Sequence, residues 1–197
     1  MNYLNFYFLR HGEISHPDHL AGHTDFELTE LGRIAALKQA RELKWDRVIT
    51  SPLVRCWDVA QTVASEKACD ISIEEEIKEY NFGDWDGKSF ESLWQEPKPN
   101  IGDFWQNPFG MTPPNGESMT EFKERVEKWW QGQLANPKSE SVLVLSHAGV
   151  IKEIAGLVLG FPKQQNFHGH LSLAYASYIH VQVSFDEHHS PWPMLKI

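Results

Sequence analysis

The sequence predicts an α/β fold, a three-layer α/β/α sandwich around a mostly parallel sheet. Three observations predict it. Short β-branched or aromatic runs alternate with segments of helical spacing, the pattern of strands joined by crossover helices. Helix starts are marked by capping residues. The 197 residues suffice to bury one core, so the chain reads as one domain over residues 1–197.

The elements follow in order. Asn5-Phe6-Tyr7-Phe8-Leu9 is apolar and short, a buried strand. A polar loop containing Pro17 and Gly22 runs to about Glu27. Thr29 is placed to cap a helix from Glu30 to about Leu43. Arg47-Val48-Ile49-Thr50 is a second strand. Ser51-Pro52 reads as a cap followed by a proline in the first helical position, opening a helix with Leu53, Trp57, Ala60 and Ala64 on one stripe. Ile71 to Ile73 makes a third strand. Residues 79–117 change character, with five glycines, five prolines and Trp85, Trp94 and Trp105. Loop and short helices are expected there, forming a wall for a binding site. Ser118-Met119-Thr120-Glu121 is a capping box, and Met119, Phe122, Val126, Trp129 and Leu134 continue at helical spacing. Ser141 to Leu145 is the clearest strand, and a helix follows to about Leu159. Leu171 to Phe185 is β-prone and holds one or two strands.

Composition narrows the function. Eighteen basic and 27 acidic side chains give a net charge of −9, which argues against nucleic-acid or anionic-membrane partners. The apolar run that follows Met1–Asn5 is short and lacks a basic flank, so neither a signal peptide nor a membrane span is expected. Two cysteines, Cys56 and Cys69, make no disulfide framework and read as packing residues, which fits a cytoplasmic location.

In a parallel sheet, active groups collect beyond the carboxyl ends of the strands. Here those ends carry Arg10-His11-Gly12-Glu13, then Ser51-Pro52-Leu53-Val54-Arg55, then Ser146-His147-Ala148-Gly149. Two arginines and two histidines at one edge would repel without an anion between them. A phosphoryl group suits, because guanidinium forks bind its oxygens in pairs.

Leu9-Arg10-His11-Gly12-Glu13 resembles the signature of the histidine phosphatase superfamily, also called phosphoglycerate mutase-like. Further blocks resemble that family in order: Gly22-His23-Thr24-Asp25 with Leu28 to Gly32, Ser51 to Cys56, Glu79 to Gly87, Pro114 to Ser118, and Ser146 to Val150. The resemblance implies a phosphoglycerate mutase-like fold and a phosphomonoesterase that needs no metal or other cofactor. It implies His11 as the nucleophile, with Arg10, Arg55 and His147 holding the phosphoryl oxygens. Glu79 would give a proton to the leaving alkoxide and take one from water. Thr24 and the backbone after His147 would add hydrogen bonds. The family often has Ser or Thr, and Asn, where this chain has Ile14 and Pro17.

Other features read more plainly. His16, His19 and His23 lie in a loop with Pro17 and Gly22, so no metal site is expected. Glu74 to Glu76 form a solvated charge run, and His188-His189 an exposed tail feature. Glu117 and Ser118 form a turn and helix cap. Trp85 and Trp105 are candidates to line a substrate pocket. The Phe82 to Gly87 run and its tryptophan-containing sequel resemble the α-ribazole-5′-phosphate phosphatases of cobalamin biosynthesis, whose substrate carries a flat aromatic base. A broad-specificity or sugar-phosphate phosphatase and a non-catalytic phosphate-binding relative are the alternatives. The expected partner is a small phosphomonoester, and an oligomer is left open.

Overall fold

The computed structural model describes residues 3–163 and 166–196. Met1 and Asn2, part of the stretch read for a leader, lie outside the described residues. Strands β1 (Leu4–Arg10), β2 (Arg47–Thr50), β3 (Ile71–Ile73), β4 (Ser141–Ser146), β5 (Tyr178–Phe185) and β6 (Pro191–Lys196) form one sheet in the order β3-β2-β4-β1-β5-β6. The first four are mutually parallel, and β5 and β6 are antiparallel additions.

Helices α1 (Glu30–Glu42) and α2 (Val54–Lys67) cover one face. They bury Ala36, Leu37, Val59, Ala60 and Val63 against Val48, Leu143 and Leu145. The other face carries α5 (Met119–Ala135) and α6 (Ala148–Leu159). There Phe6 and Phe8 of β1 meet Trp130 edge-on, and Val142 and Val144 join the same core. Between α2 and α5 lie two short helices, α3 (Phe90–Gln95) and α4 (Ile101–Gln106), within the expected wall segment. The three layers of the sequence reading are present.

Three details differ from that reading. Strand β6 was not anticipated, because Pro191 and Pro193 argue against a strand; a sheet edge tolerates them, since one side has no ladder to join. Helix α2 begins at Val54, with Leu53 in the cap position and no cap bond from its own side chain. Asp25 supplies the cap from a distant loop, its Oδ1 accepting from the Val54 N–H at 2.7 Å. The buried face of α2 is accordingly Cys56, Val59, Ala60, Val63 and Ala64, with Trp57 only half-buried. Thr29 and Ser118 cap α1 and α5 as the sequence indicates.

Register decides where the chemistry sits. Arg10 pairs with Ser146, and Thr50 with Leu145. The His11 N–H donates to the Ser146 carbonyl at 3.1 Å, and the Ser51 N–H to the Leu145 carbonyl at 3.0 Å. The residues just after β1, β2 and β4 therefore emerge side by side.

Candidate active site

A cavity of about 650 Å3 opens at this edge, with Arg10, His11 and Glu79 among its lining residues. His11 is buried, and its Nδ1 lies 2.8 Å from the Gly12 carbonyl. A carbonyl only accepts, so Nδ1 carries the proton and Nε2 is left with a lone pair. Burial holds the His11 pKa well below the usual histidine value, and the Arg55 charge adds to the effect. The ring is thus a neutral imidazole whose tautomer is fixed by the backbone, with the Nε2 lone pair available.

Arg10 stacks its guanidinium 3.9 Å over the Tyr175 ring. Its Nη1 donates to the Leu173 carbonyl at 2.5 Å, while its Nε is buried without a partner. A buried cationic donor left unmatched is costly, and it marks a place where a ligand oxygen fits.

Arg55 and His147 lie directly behind. Both are fully buried, and the His147 ring centroid is 5.3 Å from that of His11. Arg55 Nε donates to His147 Nδ1 at 3.2 Å, so the His147 proton sits on Nε2 and is donated to Ser51 Oγ at 2.8 Å. Burial and the Arg55 charge hold the His147 pKa well below the usual value. The remaining Arg55 donors reach the carbonyls of Gly22, Thr24 and Ala21 at 2.5, 2.9 and 3.5 Å. Four of its five N–H groups are therefore matched within the protein. Arg55 and His147, expected to grip phosphate, are thus held by protein partners at the cavity's base, with one Arg55 Nη1 hydrogen unmatched.

The loop that receives Arg55 is itself held by Asp86. Its carboxylate accepts from the N–H groups of Gly22, His23 and Thr24 at 3.1, 2.6 and 2.9 Å. A Cβ at Gly22 would stand 2.3 Å from Asp86 Oδ2, so only glycine permits this approach. Thr24 is likewise corrected: it serves Arg55 through its carbonyl, and its side chain packs beside Gly87 rather than lining the cavity.

Glu79 faces the cavity from the opposite side. Oε2 accepts from the Gly149 N–H at 3.1 Å, in the first turn of α6, and Oε1 from the Tyr80 N–H at 3.0 Å. Because His147 gives α6 no side-chain cap, Glu79 performs that task. A Cβ on Gly149 would lie 2.2 Å from Oε1. The backbone carrying Glu79 is clamped as well. Arg125 donates to the carbonyls of Glu76, Lys78 and Glu79 at 2.6, 2.9 and 2.9 Å, and His23 Nε2 donates to the Glu79 carbonyl at 2.9 Å. Glu117, expected only to shape a turn, pairs with Arg125 through both oxygens and accepts from the Asn81 N–H at 2.7 Å.

Aromatic side chains build the outer wall. Trp105 lines the cavity and is 41% exposed, beside Phe82, Phe104 and Phe122. Trp85 does not line it: it is 2% exposed and packs edge-on against Phe104. That expectation is corrected, because Trp85 fills the core of the wall segment. Ile14 and Pro17 line the cavity as apolar surface. His16 packs tilted on Phe26 and His19 meets the same ring edge-on, while the His23 ring is turned to the Glu79 carbonyl. Among the described residues no group of three His, Cys, Asp or Glu side chains could hold a metal, and no helix is long and apolar enough to cross a membrane. Cys56 is a buried free thiol whose pKa burial pushes up, in keeping with a packing role.

Sequence reasoning missed Tyr175, Lys152 and His168, all of which line the cavity. Lys152 Nζ donates to the His168 carbonyl at 2.8 Å, and His168 Nε2 donates to the buried Glu153 at 3.0 Å. Lys152 had one available signal, its place three residues after Gly149 on the same helical face.

A family model described as histidine phosphatase superfamily (branch 1) matches residues 6–190. The adenosylcobalamin/α-ribazole phosphatase of Escherichia coli K12 is 29% identical over 177 residues, covering 84% of each chain. A protein of Hydrogenobacter thermophilus named "Putative phosphoserine phosphatase 2" is 27% identical over 181 residues, covering 89% of each. A mycobacterial glucosyl-3-phosphoglycerate phosphatase superposes with a TM-score of 0.83 at 21% identity, over 99% of this chain and 98% of its own, a likeness of fold.

Proposed function

The chain belongs to branch 1 of the histidine phosphatase superfamily, and on that premise we propose that it hydrolyses phosphomonoesters through a phosphohistidine on His11, with α-ribazole 5′-phosphate as its substrate. The observation that carries the chemistry is the fixed tautomer of His11, whose Nδ1–H is held by Gly12 and whose Nε2 is free at the cavity. Nε2 attacks phosphorus, and the bond from phosphorus to the ester oxygen breaks. Glu79 gives a proton to the departing alkoxide. Water then attacks phosphorus while Glu79 takes its proton, the phosphorus–nitrogen bond breaks, and inorganic phosphate leaves.

Charge stabilisation falls to Arg10, whose buried Nε has no hydrogen-bond partner in the protein, and to the Arg55 charge behind His11. These cations supply what magnesium supplies in many phosphoryl-transfer enzymes, so the reaction requires no metal. The aromatic wall of Phe82, Phe104 and Trp105 supports a leaving group with a flat ring, as α-ribazole has. A broad-specificity phosphatase is the second reading, favoured by relatives whose names cite different phosphoesters.

The test is phosphate release with EDTA present, from α-ribazole 5′-phosphate, 3-phosphoglycerate, fructose 2,6-bisphosphate and p-nitrophenyl phosphate, each with wild type and His11→Ala. Selective turnover of the first, lost in the variant, is the expected result. Comparable slow turnover of all four supports the broad reading. Turnover lost on chelation contradicts the mechanism.

A further inference from the structure

We infer that Tyr175 is the positioning residue for phosphoryl recognition: its ring face sets the guanidinium of Arg10 so that the Nε edge meets the phosphoryl oxygens. The inference rests on the reading of the cavity as a phosphomonoester site. Arg10 is the cation that reaches the cavity with an unmatched buried donor. Ile14 and Pro17, which share the lining, offer no donors, and four Arg55 donors are spent on protein acceptors. Recognition therefore leans on how well Arg10 is aimed.

An arginine side chain has many rotamers, and a free one must be ordered at the moment of binding. Tyr175 removes that cost. The Arg10 guanidinium lies 3.9 Å from the centre of its ring, which engages the flat face and leaves the Nε edge unmatched while Nη1 is held by the Leu173 carbonyl. The same ring stands 5.7 Å from that of His11, so one side chain abuts both the nucleophile and the cation.

The backbone fixes Tyr175 in turn. The Ala176 N–H donates to the His11 carbonyl at 3.0 Å, and the Arg10 N–H donates to the Ser177 carbonyl at 2.9 Å. The turn places Ala176 at φ 54, a left-handed conformation that costs a residue with a Cβ. Strain of this kind persists where the surroundings hold it, and here it lies between the stacked tyrosine and the first residues of β5.

The experiment measures binding of inorganic phosphate by calorimetry and inhibition by orthovanadate, for wild type, Tyr175→Phe, Tyr175→Leu, Arg10→Ala and Arg10→Ala/Tyr175→Leu. Melting temperatures check that each variant folds. Tyr175→Leu is expected to weaken both ligands about tenfold, and Tyr175→Phe to stay within about threefold of wild type. In the Arg10→Ala background the leucine change should add less than about twofold, because the ring acts through Arg10. Equal weakening by Phe and Leu would assign the effect to the hydroxyl and overturn the inference, as would additive losses in the double variant or no loss in Tyr175→Leu. If wild type binds phosphate in this pattern but hydrolyses no monoester, the proposed function falls and the role of Tyr175 stands. If wild type binds neither ligand, both fall.

Discussion

The floor of the cavity and its walls come from different parts of the chain and are held by different forces. The floor is Arg10 and His11 at the end of β1, backed by Ser51 and His147, which parallel register brings to neighbouring positions at the ends of β2 and β4. It is held by directed hydrogen bonds: Gly12 to His11, Ser51 and Arg55 to His147, and the 22–24 loop to Arg55. The walls come from 79–117, packed on the aromatic cluster around Phe104, and from 168–175, where His168 packs on Phe122 and Tyr175 on Arg10. Directed bonds fix an atom for chemistry, and packing shapes a surface that admits one leaving group over another. Glu79 lies at the seam, carried by the wall segment but pinned to the floor through Gly149.

Substitutions can break this contrast, and the largest effect belongs to the floor. His11→Ala should lower kcat at least about 10^4-fold with an unchanged fold, measured by phosphate release and circular dichroism. Trp85→Ala is next and is a loss of stability. It empties the packed interior of the wall and should cost about 3–5 kcal/mol in denaturant unfolding. Gly149→Ala tests the seam. Its Cβ would displace Glu79, so kcat should fall about 10^2-fold while phosphate binding holds. Trp105→Ala should raise KM about tenfold for a monoester with an aromatic leaving group, and much less for a sugar phosphate. If Trp85→Ala and Trp105→Ala behaved alike, the division between a packed inner wall and a ligand-facing outer wall would be wrong.

The smallest effect is a pH dependence. His11 and His147 titrate lower in the folded protein than in the unfolded chain. The unfolded state therefore binds more protons once pH falls below about 6.5, and stability contributed by the two rings is present above that value and lost beneath it. Melting temperature against pH should show that decline, and His11→Asn should flatten it.

The floor was legible because each part is a short local string: Arg10-His11-Gly12, Ser51 to Arg55, Ser146 to Gly149. Strand ends and caps made the convergence plain, and the parallel run of the first four strands followed from the alternating pattern, though their order in the sheet did not. Which donors remain free was not legible. Arg55 turns to three carbonyls of the 21–24 loop only because Asp86, more than sixty residues away, holds that loop in place. Trp85 and Trp105 both pack on Phe104, and only the tertiary fold decides that one ring is enclosed while the other keeps an exposed face. Tyr175 precedes β5 in a stretch without a motif, and its value lies in the neighbour that the antiparallel pairing with β1 brings to it. Strand β6 was hidden by prolines whose cost vanishes at an edge.

The mechanism requires a covalent bond from His11 Nε2 to phosphorus. The direct measurement is rapid quench of the enzyme during turnover of a labelled phosphomonoester in EDTA, followed by mapping of the labelled peptide. The expected result is an alkali-stable, acid-labile phosphoryl group on the peptide that contains His11, absent from His11→Ala and formed at least as fast as phosphate is released. Label on any other residue, or full turnover by His11→Ala, would contradict it.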